Sequence, residues 1–179
     1  KIQEMSLHGL SLDAWSRYSK KGFKKYQVSR LGYKYNLTDL AAAVGIAQLK
    51  KVTSFRKRRE YIWKLYNKYF SDLPVKLPIL PKKGFVHSYH LYTLIIDKKN
   101  CKISRDEFIK KLHQKKIGTG IHYQAISDHK YYKKSYGWKS KNYPNAKYLG
   151  DNTVSIPLSP KLTNKQVTYI IQTIKNILN

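Results

Sequence analysis

The stretch from Leu31 to Leu49, LGYKYNLTDLAAAVGIAQL, restricts this chain more than any other. Its first half, Gly32-Tyr33-Lys34-Tyr35-Asn36, alternates aromatic and polar residues, which suits extended or irregular backbone. Thr38 is then a good helix N-cap, and Asp39 sits in the first turn, where the positive end of a helix favours an acid. Ala41, Ala42, Ala43, Gly45 and Ala47 follow. Side chains this small let another backbone come close. Glycine inside a helix costs about 1 kcal/mol relative to alanine, so close approach is a reason to have Gly45 there. On pattern alone the stretch is an N-capped helix with a small-residue packing face.

The rest of the chain reads as one domain's worth of protein behind that helix. At 179 residues and 41% apolar it can bury a core, and its sixteen tyrosines and five phenylalanines argue against disorder. No apolar run has the length to span a bilayer. The start, KIQEMSLHGL, lacks the features of a signal peptide. Cys101 is the single cysteine, which excludes an internal disulfide framework and a cysteine-rich zinc site. These features fit a cytoplasmic protein with no metal site. The charge is unusual: 36 basic against 10 acidic residues, net +26. That balance suits a nucleic-acid partner or an anionic surface. The lysines are spread along the chain rather than gathered in a block, which equally fits a solvated lysine-rich surface.

In chain order, residues 1–10 read as the exit from a helix. Residues 11–30 read as a lysine-rich connection whose Trp15, Tyr18, Phe23 and Tyr26 order it against a partner surface. A long helix is expected from Thr38 to Ser71, with room for a break inside it. Its second half carries an apolar stripe of Val52, Phe55, Ile62, Leu65, Tyr66 and Tyr69, with Arg56, Lys57, Arg58, Arg59 and Lys64 mainly on the wet side. Pro74, Pro78 and Pro81 mark an irregular crossing. Strands are expected at Tyr89 to Asp97, Thr119 to Tyr123 and Val154 to Ile156. Ser104 with Glu107, and Thr163 with Gln166, form capping boxes that open two helices. The first stops near Lys116, with Gly118 in its C-terminal turn. The second buries Val167, Ile170, Ile171, Ile174 and Leu178. Short helices are expected at Tyr131 to Tyr136 and from Pro144 to about Asn152. The sum is an α+β (α/β-like) small domain: a long N-terminal helix, then a small sheet covered by helices.

Several of these segments together resemble the DegT/DnrJ/EryC1/StrS sugar aminotransferases. They are His8-Gly9-Leu10, the Gly32 to Leu40 run, His87-Ser88-Tyr89-His90-Leu91-Tyr92, Ser104-Arg105-Asp106, Gly118-Thr119-Gly120-Ile121-His122-Tyr123 and Ser155-Ile156-Pro157-Leu158-Ser159-Pro160. The resemblance implies the C-terminal domain of a fold-type I pyridoxal-phosphate-dependent transferase. Residues 1–37 would be the tail of a large-domain connection and a dimer-contact loop, and 38–179 the small domain with its linking helix. It implies a homodimeric enzyme of lipopolysaccharide or polysaccharide biosynthesis. That enzyme would take glutamate, release 2-oxoglutarate and aminate a nucleotide sugar such as a UDP-4-keto-pentose.

Site residues follow from both readings. Asn36 is an amide beside a helix start, suited to phosphate or to an Asx turn. By resemblance it reaches the cofactor phosphate across the dimer, with Lys34 as a second anion contact and Tyr35 near the substrate. His122 is a lone histidine at a strand end, a residue more often structural than catalytic. By resemblance it lines the active site with Tyr123, where an imidazole orients substrate or moves a proton. His87 and His90 read as core and rim. A transaminase also needs a Schiff-base lysine. In the family that lysine lies upstream of the His-Gly stretch. The chain is therefore expected to start in the middle of a protein, to hold no catalytic residue of its own and to be inactive alone. A sugar dehydratase of the same family and a basic nucleic-acid-binding module are the competing readings.

Overall fold

The computed structural model describes residues 1–11 and 27–179. Most of the expected partner-facing connection, including Trp15, Tyr18, Phe23 and Tyr26, lies outside the described residues. Backbone contacts divide the chain into two units, Lys1–Lys51 and Val52–Asn179.

In the first unit, helix α1 (Ile2–Ser6) ends through His8 and Gly9, both with positive φ. The 33–35 segment returns alongside this exit. Tyr33 N–H donates to Met5 O at 2.7 Å, Tyr35 N–H to Ser6 O at 2.8 Å, and His8 N–H to Tyr33 O at 2.9 Å. The crossing requires glycine on both sides. A Cβ on Gly9 would lie 1.8 Å from Arg30 O, and one on Gly32 would lie 2.0 Å from Gly9 N. An ion pair of 2.7 Å from Arg30 to Glu4 closes the same turn. Helix α2 (Asp39–Leu49) starts as expected, with Thr38 Oγ1 accepting the Ala41 N–H. None of its residues is buried, and a Cβ on Gly45 would meet nothing within 4 Å. The described residues therefore do not supply the close backbone approach that the small face suggested.

The long helical pattern is divided. A turn at Lys50-Lys51 separates α2 from α3 (Val52–Phe70).

The second unit holds the core. Helix α3 buries Ile62, Trp63, Tyr66 and Phe70. This corrects the expected stripe: Val52 and Tyr69 are exposed, and Trp63 and Phe70 take the inward positions. Burying large aromatic area dominates the choice of face. Trp63, Tyr66 and Phe70 each lie against Tyr92 at 5.0 to 6.3 Å between ring centroids. Two of the buried hydroxyls are bonded, Tyr66 to Pro157 O and Tyr92 to Asn67 Oδ1, as burial requires. Arg58 also departs from the wet side, donating to Leu162 O at 2.6 Å.

Strand β1 (Tyr92–Ile95) pairs antiparallel with β2 (Thr153–Ile156), Thr93 opposite Ser155. The expected strand from Tyr89 is shorter because Tyr89 has φ 49° and donates its N–H to His87 Nδ1 at 2.9 Å, a local turn. The alternation of buried and half-buried side chains starts only at Tyr92. The expected strand at Thr119 to Tyr123 is reduced to one bridge, Gly120 to Ser155.

After β1, Asp97 caps a short helix α4 (Lys98–Cys101). Helix α5 (Arg105–Gln114) opens with the expected Ser104–Glu107 capping box. Its C-terminal left-handed residue is Lys116, not Gly118. Helices α6 (Lys130–Tyr136) and α7 (Pro144–Asn152) follow, the latter with proline in its first turn. Helix α8 (Asn164–Leu178) carries the second capping box and buries the five predicted apolar residues together with Thr173. Helices α3, α5 and α8 supply most of the helical side of the core, against Leu94, Ile96, Val154 and Ile156 from the sheet region. An antiparallel pair joined through several helices places this unit in the α+β class.

Candidate functional site

The sequence-predicted residues fall into the two units, and each group is described within its own. In the first unit the 33–36 run is held extended by α1, so its side chains alternate in direction. Tyr33 and Tyr35 share one side, their rings stacked at 5.2 Å and 15°. Lys34 and Asn36 belong to the other parity. Lys34, Tyr35 and Asn36 are all exposed. Asn36 stands two residues before the N-cap of α2, an eleven-residue helix whose free N–H groups favour an anion. Asp39 in the first turn offsets part of that potential. An amide, an ammonium and a helix end are the right donors for a phosphate. Lys34 and Asn36 lie on an open surface before that helix start and not in an enclosing cup.

In the second unit, His122 is set by the edge of the sheet. Gly120 and Ser155 exchange both backbone hydrogen bonds, at 3.0 and 2.7 Å. The His122 ring then folds back over Gly120, where a Cβ would lie 2.6 Å from its Cε1. Its Nδ1 is 2.8 Å from Ser155 Oγ. The Tyr123 ring meets the imidazole edge-on at 4.9 Å and is itself 76% exposed. A cleft of about 500 Å³ opens beside it, with Arg105, Gln124, His129 and Asp151 among its polar walls. Arg105 is a structural part of that wall, donating to Gly150 O in the last turn of α7 and to Thr153 O just past its end.

The next turn is tied down by Asp128. It accepts the Ser140 hydroxyl and lies 3.3 Å from Lys133 and 3.8 Å from Lys147. The Ser140 hydrogen bond leads in holding this carboxyl below its ordinary range, the lysines adding to it.

Lys34 and Asn36 thus share one side of the extended run and Tyr35 takes the other, while His122 and Tyr123 are in ring contact in the second unit. Reasoning from sequence missed Gly120 and Ser155 as partners of His122. Both lie inside segments that carried the family resemblance, but the contact of Ser155 with His122 spans 33 residues. His87 lies elsewhere, tilted against Trp63 at 6.1 Å. Among the described residues no group of three or more His, Cys, Asp or Glu could hold a metal ion. No helix among them is long and apolar enough to cross a membrane.

Residues 1–175 match the DegT/DnrJ/EryC1/StrS aminotransferase family. An uncharacterized protein of Methanocaldococcus jannaschii, MJ1066, is 41% identical over 179 residues, covering 100% of this chain and 46% of its own. The spore coat polysaccharide biosynthesis protein SpsC of Bacillus subtilis is 37% identical, covering 99% of this chain and again 46% of its own. The chain thus spans about half the length of these relatives. Among solved structures, Spr1654 of Streptococcus pneumoniae in its PLP form superposes with a TM-score of 0.78 at 29% identity, over 98% of this chain and 42% of that one. PseC of Helicobacter pylori has the same fold, with a TM-score of 0.77 at 23% identity over 99% of this chain and 45% of its own. The chain belongs to the DegT/DnrJ/EryC1/StrS aminotransferase family.

Proposed function

We propose that this chain is the C-terminal part of a pyridoxal-phosphate-dependent aminotransferase acting on a nucleotide-linked keto sugar. The family match over residues 1–175 carries this reading, together with a length under half that of the relatives. A relative named for spore coat polysaccharide biosynthesis and another solved in PLP and PMP forms support the substrate class and the cofactor. The reaction moves the amino group of glutamate to the carbonyl carbon of the sugar, a UDP-4-keto-pentose or similar, and leaves 2-oxoglutarate. Bound pyridoxal phosphate supplies the electron-withdrawing ring that makes the proton transfers at carbon possible.

Binding is this chain's share of the work. Asn36 and Lys34 would hold the cofactor phosphate of a neighbouring subunit, at the open edge before α2. Tyr35, His122 and Tyr123 would bind the sugar. His122 offers an imidazole nitrogen able to orient a hydroxyl or hold a proton. The lysine that carries the cofactor belongs to the remaining length of the relatives, so the 179 residues alone are expected to be inactive. The net charge of +26 draws an anionic nucleotide sugar toward the surface.

The test uses the polypeptide as its genome encodes it, with any segment adjoining Lys1. Incubated with glutamate and a UDP-4-keto-pentose, it should yield the amino sugar and 2-oxoglutarate in equal amounts. Loss of a sugar hydroxyl without nitrogen gain would move the protein to the dehydratase reading. An unchanged sugar, with tight salt-dependent binding to an oligonucleotide, would overturn both.

A further inference from the structure

We propose that Ser155 is a positioning residue for His122: its hydroxyl holds the imidazole by Nδ1 and leaves Nε2 as the nitrogen that meets a ligand. This rests on the reading of His122 as a substrate-binding residue. Four observations place the ring. The Nδ1 to Oγ distance is 2.8 Å. Ser155 is 5% exposed and sits inside β2, opposite Thr93, so its Cβ is fixed by the sheet. Its backbone N–H and C=O are both taken by Gly120, which leaves the hydroxyl free of its own strand. Gly120 in turn leaves the space the ring occupies, since a Cβ there would press on Cε1 at 2.6 Å and Nδ1 at 3.2 Å.

The chemistry follows from the imidazole. A neutral ring has one donor and one acceptor nitrogen, and the bond made by one nitrogen decides the role of the other. A serine hydroxyl can donate or accept. Either way the contact fixes one ring orientation, with Nδ1 turned to Ser155, and Nε2 makes no hydrogen bond to a described residue. A histidine presented to substrate needs this hold, because a half-turn about χ2 would put the Cε1 carbon where Nε2 meets the ligand. The competing explanation is a buried polar pair that merely satisfies itself. Such a pair would hold the ring in the same way but leave the kinetics of amination unchanged.

The test reads the ring directly. In the 179-residue chain with 15N-labelled histidine, above the ordinary histidine titration range, the His122 Nδ1 signal should carry the shift of a hydrogen-bonded ring nitrogen. In S155A the Nδ1 signal should move as that hydrogen bond is lost, with the amide spectrum of the core unchanged. S155T keeps the hydroxyl on a β-branched residue suited to a strand and should restore the wild-type pattern. G120A should shift the imidazole signals by displacing the ring. An S155A pattern identical to wild type overturns the hold itself. In the genome-encoded protein, S155A should lower kcat/KM for amination about tenfold, chiefly by raising KM for the sugar, as for lost substrate binding. Recovery by S155T supports the role. H122N amination at the wild-type rate would overturn the functional reading of His122 and with it the role of Ser155, whereas the nitrogen pattern would still judge the contact.

Discussion

Helices α2 and α8 are both rich in apolar residues and meet opposite fates. In α8, Val167, Ile170, Ile171, Ile174 and Leu178 repeat at spacings of three and four, and all are buried. In α2, Leu40, Val44, Ile46 and Leu49 are 79%, 56%, 58% and 69% exposed. The pattern explains the difference. The α8 sequence confines its apolar residues to one stripe and leaves Lys165, Gln172 and Lys175 for water. The α2 sequence is apolar or small nearly all round, the signature of a helix enclosed on several sides. Unit 52–179 contains the environment its helices were written for. Helix α2 was written for one that the described residues do not provide. This chain spans 46% of the length of the two curated relatives.

Substitutions can break this comparison, and the largest effect belongs in the core. Phe70→Ala should cost about 3–5 kcal/mol in denaturant titrations. Leu40→Ala in α2 should change the chain's stability by no more than ~0.5 kcal/mol. Comparable losses from both would show that α2 is packed after all. Gly32→Ala comes next. Forcing a Cβ against the Gly9 backbone should cost about 1–3 kcal/mol, seen as faster hydrogen exchange at the Tyr33 and Tyr35 amides. The thermal transition of unit 52–179 should not move.

Thr163→Ala removes the N-cap of α8 and should cost ~1 kcal/mol, detected in the same transition. Gly45→Ala sharpens the contrast by its sign. With nothing within 4 Å of the new methyl, it should stabilise α2 in this chain by up to about 1 kcal/mol. In the genome-encoded protein the same change should weaken assembly if another backbone lies against that face.

Acid should act on unit 52–179. Backbone or hydroxyl hydrogen bonds hold the carboxyls of Asp97, Glu107 and Asp128 below their ordinary ranges. Their contribution is complete above the unfolded-state value and is lost as pH falls through the folded one. The melting temperature of unit 52–179 should therefore be flat near neutrality and decline only in the acid range. A decline that begins near neutrality would contradict this.

Local chemistry was legible in the sequence; pairing was not. Both capping boxes, Pro144 in the first turn of α7 and the inner face of α8 rest on contacts within four residues, and the letters suffice. The face of α3 was misjudged because spacings counted from Val52 and Phe55 lead to Tyr69, whereas ring packing onto Tyr92 selects Trp63 and Phe70. The strand at Thr119 shrank to a bridge because the His122 ring turns back over Gly120 instead of continuing the ladder. Asn36 and His122 were visible as residue types in a resembling context. The hold of α1 on Tyr33 and Tyr35, and of Ser155 on His122, joins residues about thirty positions apart. No periodicity records that.

The central claim is that this chain lends a phosphate-binding edge to a pyridoxal-phosphate site completed elsewhere, and Asn36 tests it most directly. Cofactor absorbance titrated against the genome-encoded protein gives Kd for wild type and Asn36→Ala. The expected result is a Kd raised about tenfold in the variant, the scale of one lost hydrogen bond to an anion, with the fold unchanged. Equal Kd values in the two proteins would contradict it.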